Sequence, residues 1–153
     1  MKPEAWWRSN FVSGAIVLQL HTFLSLCLAI LVCGLAMWRG DRAARWAGAA
    51  FLASWVGSLL VYRHDSRNAD YGMLAVDVLT LIAFAWISMR TRRIWTLVAS
   101  AFMALIVASH LAVMIDLRVT LGTLWISVAM WSYGMLACIA FGTWAAWRER
   151  TTA

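Results

Sequence analysis

Five apolar runs, at 11–38, 44–62, 70–89, 94–115 and 120–147, occupy most of this chain, and the short stretches between them hold most of its charges. About 20 apolar residues in a helix cover the hydrocarbon core of a bilayer. A helix also pairs its backbone N–H and C=O groups internally, which lipid requires. The pattern predicts an all-α fold: a polytopic transmembrane helix bundle of five crossings, forming a single integral membrane domain over 1–153. The second run, 19 residues rich in Gly and Ala, is the weakest of the five. If it makes only a hairpin or a partial crossing, four crossings remain. Composition agrees, because 63% of residues are hydrophobic and 13% charged, whereas soluble domains carry roughly 25% charged residues. The first run has 28 residues. A cleavable signal has an apolar core of about 7–15, so this run is expected to stay as the first crossing. Pro3 is the only proline and lies outside every run, so no proline kink is expected.

The formal charge of +6 does not point to nucleic acid, which needs a basic face or stripe. Here Lys and Arg flank apolar runs. Five crossings put Arg39, Arg42, Arg45, Arg90, Arg92, Arg93, Arg148 and Arg150 on one side, and Lys2, Arg8, Arg63, Arg67 and Arg118 on the other. Basic residues near membrane ends favour the cytoplasm, so the N-terminus is expected outside and the C-terminus inside. Glu4, Asp65, Asp70, Asp77 and Asp116 then fall on the external side, and Asp41 and Glu149 on the cytoplasmic side. All of the net charge faces the inner leaflet, where each basic residue gains about 1 kcal/mol from anionic lipid.

Eleven tryptophans are unusually many. Trp6, Trp7, Trp38, Trp46, Trp86, Trp95, Trp144 and Trp147 lie near run ends, where an indole fits the headgroup layer. Trp55, Trp125 and Trp131 lie deeper and are expected to pack. Two rows of small residues recur every four positions: Gly134, Cys138 and Gly142, and Ala49, Ala53 and Gly57. Such rows let helix backbones approach, either within one bundle or between subunits, and internal packing is the simpler expectation. Cys27, Cys33 and Cys138 lie inside apolar runs without metal spacing and are expected as small buried hydrophobes.

An ionisable group at membrane depth costs at least about 2.5–3.5 kcal/mol for Asp, so one that is present faces protein or water. Asp77, His110 and His21, with Gln19 near the last, meet that description. Asp77 and His110 lie seven and five residues inside the external ends of their runs, about 8–10 Å deep at 1.5 Å per residue, and His21 lies ten residues inside its longer run. Asp70 is seven residues before Asp77 and shares its face, while His64, Asp65 and Asp116 lie around the same rim. This level can lock helices in register or handle a cation or proton. Haem b between His21 and His110 is a further alternative, needing one histidine on each of two facing helices. No metal-ligand spacing, phosphate loop, nucleophile elbow or zinc-protease helix occurs. Ser132 and Tyr133 beside Trp131 offer hydroxyls that membrane helices commonly use between themselves. No catalysis, metal or resident cofactor is expected.

At Trp38-Arg39-Gly40-Asp41, Arg45-Trp46, Asp77, Arg93-Ile94-Trp95, His110-Leu111-Ala112, Asp116-Leu117-Arg118-Val119 and Trp131-Ser132-Tyr133, the chain resembles small uncharacterised proteobacterial inner-membrane proteins. The resemblance covers most of the chain and implies a bacterial inner membrane, with no activity or site residues attached. The functional expectation is a non-catalytic membrane subunit or accessory protein, packing within a homo-oligomer or a larger membrane complex. Its partners would be the bilayer and itself or other membrane subunits, not nucleic acid. The alternatives are a small proton- or cation-coupled transporter using Asp77 and His110, and a haem-binding electron carrier using His21 and His110.

Overall fold

A computed structural model describes residues 23–61, 69–115 and 121–152, the side chains of 69, 70, 121, 122 and 125 excepted. The described residues form five helices: α1 Phe23–Arg39, α2 Arg42–Val61, α3 Ala69–Thr91, α4 Ile94–Ile115 and α5 Leu121–Thr151. The chain divides into two compact units, Met1–Leu31 and Val32–Ala153. Of the first, residues 23–31 are described and begin α1. The bundle belongs to the second. There α3 packs between α2 and α4, α4 packs between α3 and α5, and α2 touches α5 to close the ring.

Four stretches, Arg42–Val61, Tyr71–Thr91, Ile94–Ile115 and Ile126–Thr151, are long and apolar enough to cross a membrane. The second run is thus a full-length helix and not a hairpin, because its alanines propagate a helix as well as leucine does. The described part of α1 is shorter. Residues 11–22 of the first predicted crossing lie outside the described residues.

The core is apolar, with a few polar residues inside it, and the outer surface is apolar as well, unlike that of a water-soluble fold. Buried residues include Asp77, Thr80, Thr96 and His110, whereas Leu79, Ile82, Met89, Leu97 and Ile126 face outward. Lipid covers such a surface without cost, and polar groups turn inward to find partners. Thr80, Thr96 and Thr143 satisfy their hydroxyls by donating to the backbone carbonyls of Val76, Arg93 and Ile139.

The ends are set by caps. Asp41 precedes α2, and its Oδ1 accepts the Ala44 N–H at 2.9 Å, satisfying a donor that the helix start leaves open. Between α1 and α2, a side chain at Gly40 would overlap the Ala36 carbonyl and the Ala44 methyl, so only glycine permits the close hairpin. After α3, Arg92 adopts φ 51° and donates its N–H to Ser88 O at 2.9 Å. That is a left-handed helix stop, costing about 1 kcal/mol for a residue with a side chain. At the same end Arg93 Nη2 lies 3.1 Å from Asp41 Oδ2 and 3.5 Å from Glu149 Oε2. One guanidinium thereby joins the α1–α2 turn, the α3–α4 turn and the end of α5.

The row Gly134, Cys138 and Gly142 lies on the α4–α5 seam. Gly134 sits under Phe102, whose ring atoms lie 2.9 Å from where a methyl would be, and Gly142 sits under the Trp95 indole more closely still. Phe102 also meets Trp131 at 6.1 Å between ring centroids, so the deep Trp131 does pack.

Three expectations need correction. Trp95 sits at the start of α4, the end the spacing gives it, but it faces into the bundle at the Gly142 notch instead of lipid headgroups, its Nε1–H without an acceptor among the described atoms. Proximity to a helix end decided that expectation, and the glycine facing it decides the structure. Ala49 and Ala53 are exposed, while Gly57 meets Val76 of α3. The buried small residues of α2 are Ala43, Ala44, Ala47 and Gly48, with Gly48 against Cys33 and Ala36 of α1. Cys33 is buried and Cys138 half-buried, but Cys27 is exposed.

Candidate functional site

Only Arg92 and Arg93 separate α3 from α4, and a connection that short makes them antiparallel neighbours. Along α3 the buried row is Asp77, Thr80, Phe84 and Ile87; along α4 it is Thr96, Ala99, Met103, Ile106 and His110. Both rows step by three and four residues, the spacing that keeps one stripe of a helix against its partner. Asp77 lies fourteen residues before the end of α3 and His110 sixteen after the start of α4. The two rows therefore deliver an acid and a base to the same height. Counted from the opposite ends, Asp77 is six residues inside Tyr71 and His110 five inside Ile115, about 8–9 Å at 1.5 Å per residue.

The contact is direct. His110 Nδ1 lies 3.1 Å from Asp77 Oδ2 and 3.2 Å from the Ile106 carbonyl oxygen one turn earlier. Both partners are acceptors, so Nδ1 carries the hydrogen and donates to them. A neutral imidazole then keeps its lone pair on Nε2. Thr80, the next residue along the buried row of α3, donates its hydroxyl to Val76 O at 2.7 Å.

The structure brings Asp77 and His110 together. His21, His64, Asp65 and Asp116 lie outside the described residues. Asp70 lies in α3, but its side chain is outside the description as well. The pairing of His21 with His110 is thus without described geometry. Among the described residues no group of three or more His, Cys, Asp or Glu is placed to hold a metal ion.

Chemically, the pair can do two things. It fixes α3 against α4, since each group finds in the other the partner that lipid cannot supply. It also holds a base at Nε2 whose orientation is set by the hydrogen bonds at Nδ1, the way an imidazole is held when it handles a proton or ligates a metal.

One residue absent from the expectations belongs to this site. Ile106 contributes its main-chain oxygen, for which a side-chain identity carries no signal.

No protein-family model, curated protein or solved structure matches this chain.

Proposed function

We propose that this chain is a non-catalytic integral membrane subunit that packs within a homo-oligomer or a larger membrane complex, with the Asp77–His110 pair serving as the register lock of its α3–α4 hairpin. The observation that carries this reading is that the pair joins α3 to α4 directly: the Asp77 carboxylate and the Ile106 carbonyl both engage His110 Nδ1. Two grooves among the described residues lie elsewhere on the bundle, one lined by residues such as Trp38 and Trp144, the other by residues such as Met37 and Trp46. Outside the bundle, each spanning helix keeps a broad apolar surface, and α2 adds the small residues Ala49 and Ala53. Such a surface suits lipid and close helix contact alike.

The bacterial inner membrane, an external N-terminus and a cytoplasmic C-terminus belong to the same proposal. They are supported by the resemblance and by the clustering of arginines around Asp41, Arg93 and Glu149 at one end. Cysteine labels at Ser66 and Thr91 in a cysteine-free background should then react from opposite sides, Ser66 from outside.

A second reading is a proton- or cation-handling site, favoured by the lone pair that the geometry leaves on His110 Nε2. A haem carrier using His21 and His110 is a third, and it draws on the same nitrogen. Gentle-detergent purification separates the three. A discrete oligomer or a stoichiometric partner chain supports the subunit, and a Soret band supports haem. A lone chain with an ion-dependent activity abolished in Asp77→Asn supports the transporter and overturns the subunit.

A further inference from the structure

We infer that the groove between the C-terminal halves of α1 and α5 is a binding site for an anionic phospholipid, with an acyl chain lying along the groove and the phosphate held by Arg39 and Arg148. The groove has a volume of about 320 Å³ and is walled by Leu35, Trp38, Thr143, Trp144 and Trp147, with Arg39 at its end. It follows both helices for eight residues, Val32 to Arg39 and Ala140 to Trp147, about 10 Å along the axis. Its lining is apolar along that length and turns basic and aromatic at one end only. A lipid has the same polarity profile.

Charge selects the headgroup. The Arg39 guanidinium lies 5.2 Å from the Trp38 ring centroid and that of Arg148 lies 5.4 Å from Trp144. Each arginine is therefore laid over an indole of the groove wall, at the depth where indoles and guanidiniums meet lipid headgroups. The acidic residues of this end, Asp41 and Glu149, are both engaged by Arg93. Among the described residues, no carboxylate pairs with Arg39 or Arg148. Arg39 at the end of the groove and Arg148 over Trp144 of its wall, neither paired with a carboxylate among the described residues, together complement a phosphodiester, whose oxygens match the planar donor fork. A third pair of the same kind, Arg90 over Trp86 at 5.5 Å, lies on α3 away from this groove and provides the control. The site is independent of the role of Asp77 and His110 and of which way the chain faces.

The test is native mass spectrometry of the full chain in mild detergent, with added phosphatidylglycerol or phosphatidylcholine of identical acyl chains. The wild-type chain should retain phosphatidylglycerol in preference to phosphatidylcholine. Removing one arginine near an anionic lipid should weaken retention about 5-fold, so Arg39→Gln with Arg148→Gln should lose about 25-fold. Arg90→Gln with Arg92→Gln removes as much charge from the same end and should lose less than about 2-fold. Thr143→Trp, which fills the groove and leaves both arginines, should also lose the lipid while keeping wild-type helicity and elution. Equal loss in the two double variants would overturn the site in favour of diffuse attraction. Retention by Thr143→Trp, an absence of headgroup preference, or displacement of the lipid by inorganic phosphate would each overturn it as well.

Discussion

Two acid–base contacts join helices in this chain at the same 3.1 Å separation, one deep in the bundle and one at its rim. The side chains of His110 and Asp77 are 9% and 12% exposed, whereas those of Arg93, Asp41 and Glu149 are 33%, 23% and 65% exposed. Distance does not distinguish them; the surrounding medium does. At the rim, water and salt offer each ion an alternative partner, and such pairs contribute about 0–1 kcal/mol. Within the bilayer the alternative is an unpaired group among methylenes, so the deep contact owes its importance to the cost of losing it. Both contacts join separate elements, but the deep one should govern stability, with the rim one adding little.

The largest effect should come from Asp77→Leu. Removing one partner of a buried pair costs about 3–5 kcal/mol in soluble proteins. His110 keeps the Ile106 carbonyl, and polar contacts measured in membranes are weaker, so about 2–3 kcal/mol is expected here. Asp77→Asn, which still accepts from Nδ1–H, should lose about 1 kcal/mol. Unfolding by SDS titration in mixed micelles measures both. A value for Asp77→Leu below that of the rim variants would reverse the comparison.

Steric seams give a scale that involves no charge. Gly142→Ala gains about 1 kcal/mol of helix propensity but drives a methyl into the middle of the buried Trp95 ring. Overpacking costs about 1–3 kcal/mol, so a net loss of about 1–2 kcal/mol is expected. At Gly134 the methyl meets the far edge of Phe102, which can swing aside, and Gly134→Ala should be close to neutral. The same titration orders the two. Equal losses at both positions would show that backbone approach, and not the identity of the ring, sets the seam.

These contrasts also explain what could be read in advance. The α4 bounds match the run 94–115 because arginines precede it and the apolar pattern ends with it. The run ending at 147 continues as helix to Thr151, since charge ends an apolar run but does not break helical hydrogen bonding. Asp77 and His110 were legible through the cost of burying them, and their common level followed from counting residues. Which nitrogen faces the carboxylate was not legible, because the Ile106 carbonyl carries no side-chain signal. The packing face of α2 was not legible either. With Ala43, Ala44, Ala47, Gly48, Ala49, Ala50 and Ala53 in one helix, several rows satisfy the small-residue spacing, and only contact with Cys33 and Ala36 selects the row through Ala44 and Gly48. Asp41 and Glu149 could be assigned to one end, but their meeting on a single guanidinium depends on three separate elements.

At the rim, Asp41 performs two jobs that substitutions can separate. Its Oδ1 caps α2 and its Oδ2 pairs with Arg93. Asp41→Ala removes both and should cost about 1 kcal/mol, mostly from the lost cap. Asp41→Asn keeps an oxygen for the Ala44 N–H and gives up only the charge, so a loss of a few tenths of a kcal/mol is expected. If Asp41→Asn costs as much as Asp41→Ala, the ion pair and not the cap supports the turn, and the rim resembles the deep contact more than its exposure suggests.

The smallest effect should come from Glu149→Gln. Its carboxylate is the more exposed of the two acids on Arg93 and sits at the longer distance, 3.5 Å. It also extends from the last turn of α5, where a negative charge opposes the helix dipole. A weak attraction is thus offset by a weak repulsion, and the net change should be within about 0.3 kcal/mol. Salt makes the test sensitive despite that size. Raising ionic strength from about 0.01 M to 1 M shortens the Debye length from about 30 Å to 3 Å. Any difference between Glu149→Gln and the wild-type chain should then vanish, while the deficit of Asp77→Leu persists because salt does not reach it. If the Asp77→Leu deficit shrinks in step with that of Glu149→Gln, water and ions reach the Asp77–His110 level, and the closed lock gives way to a site open to solution.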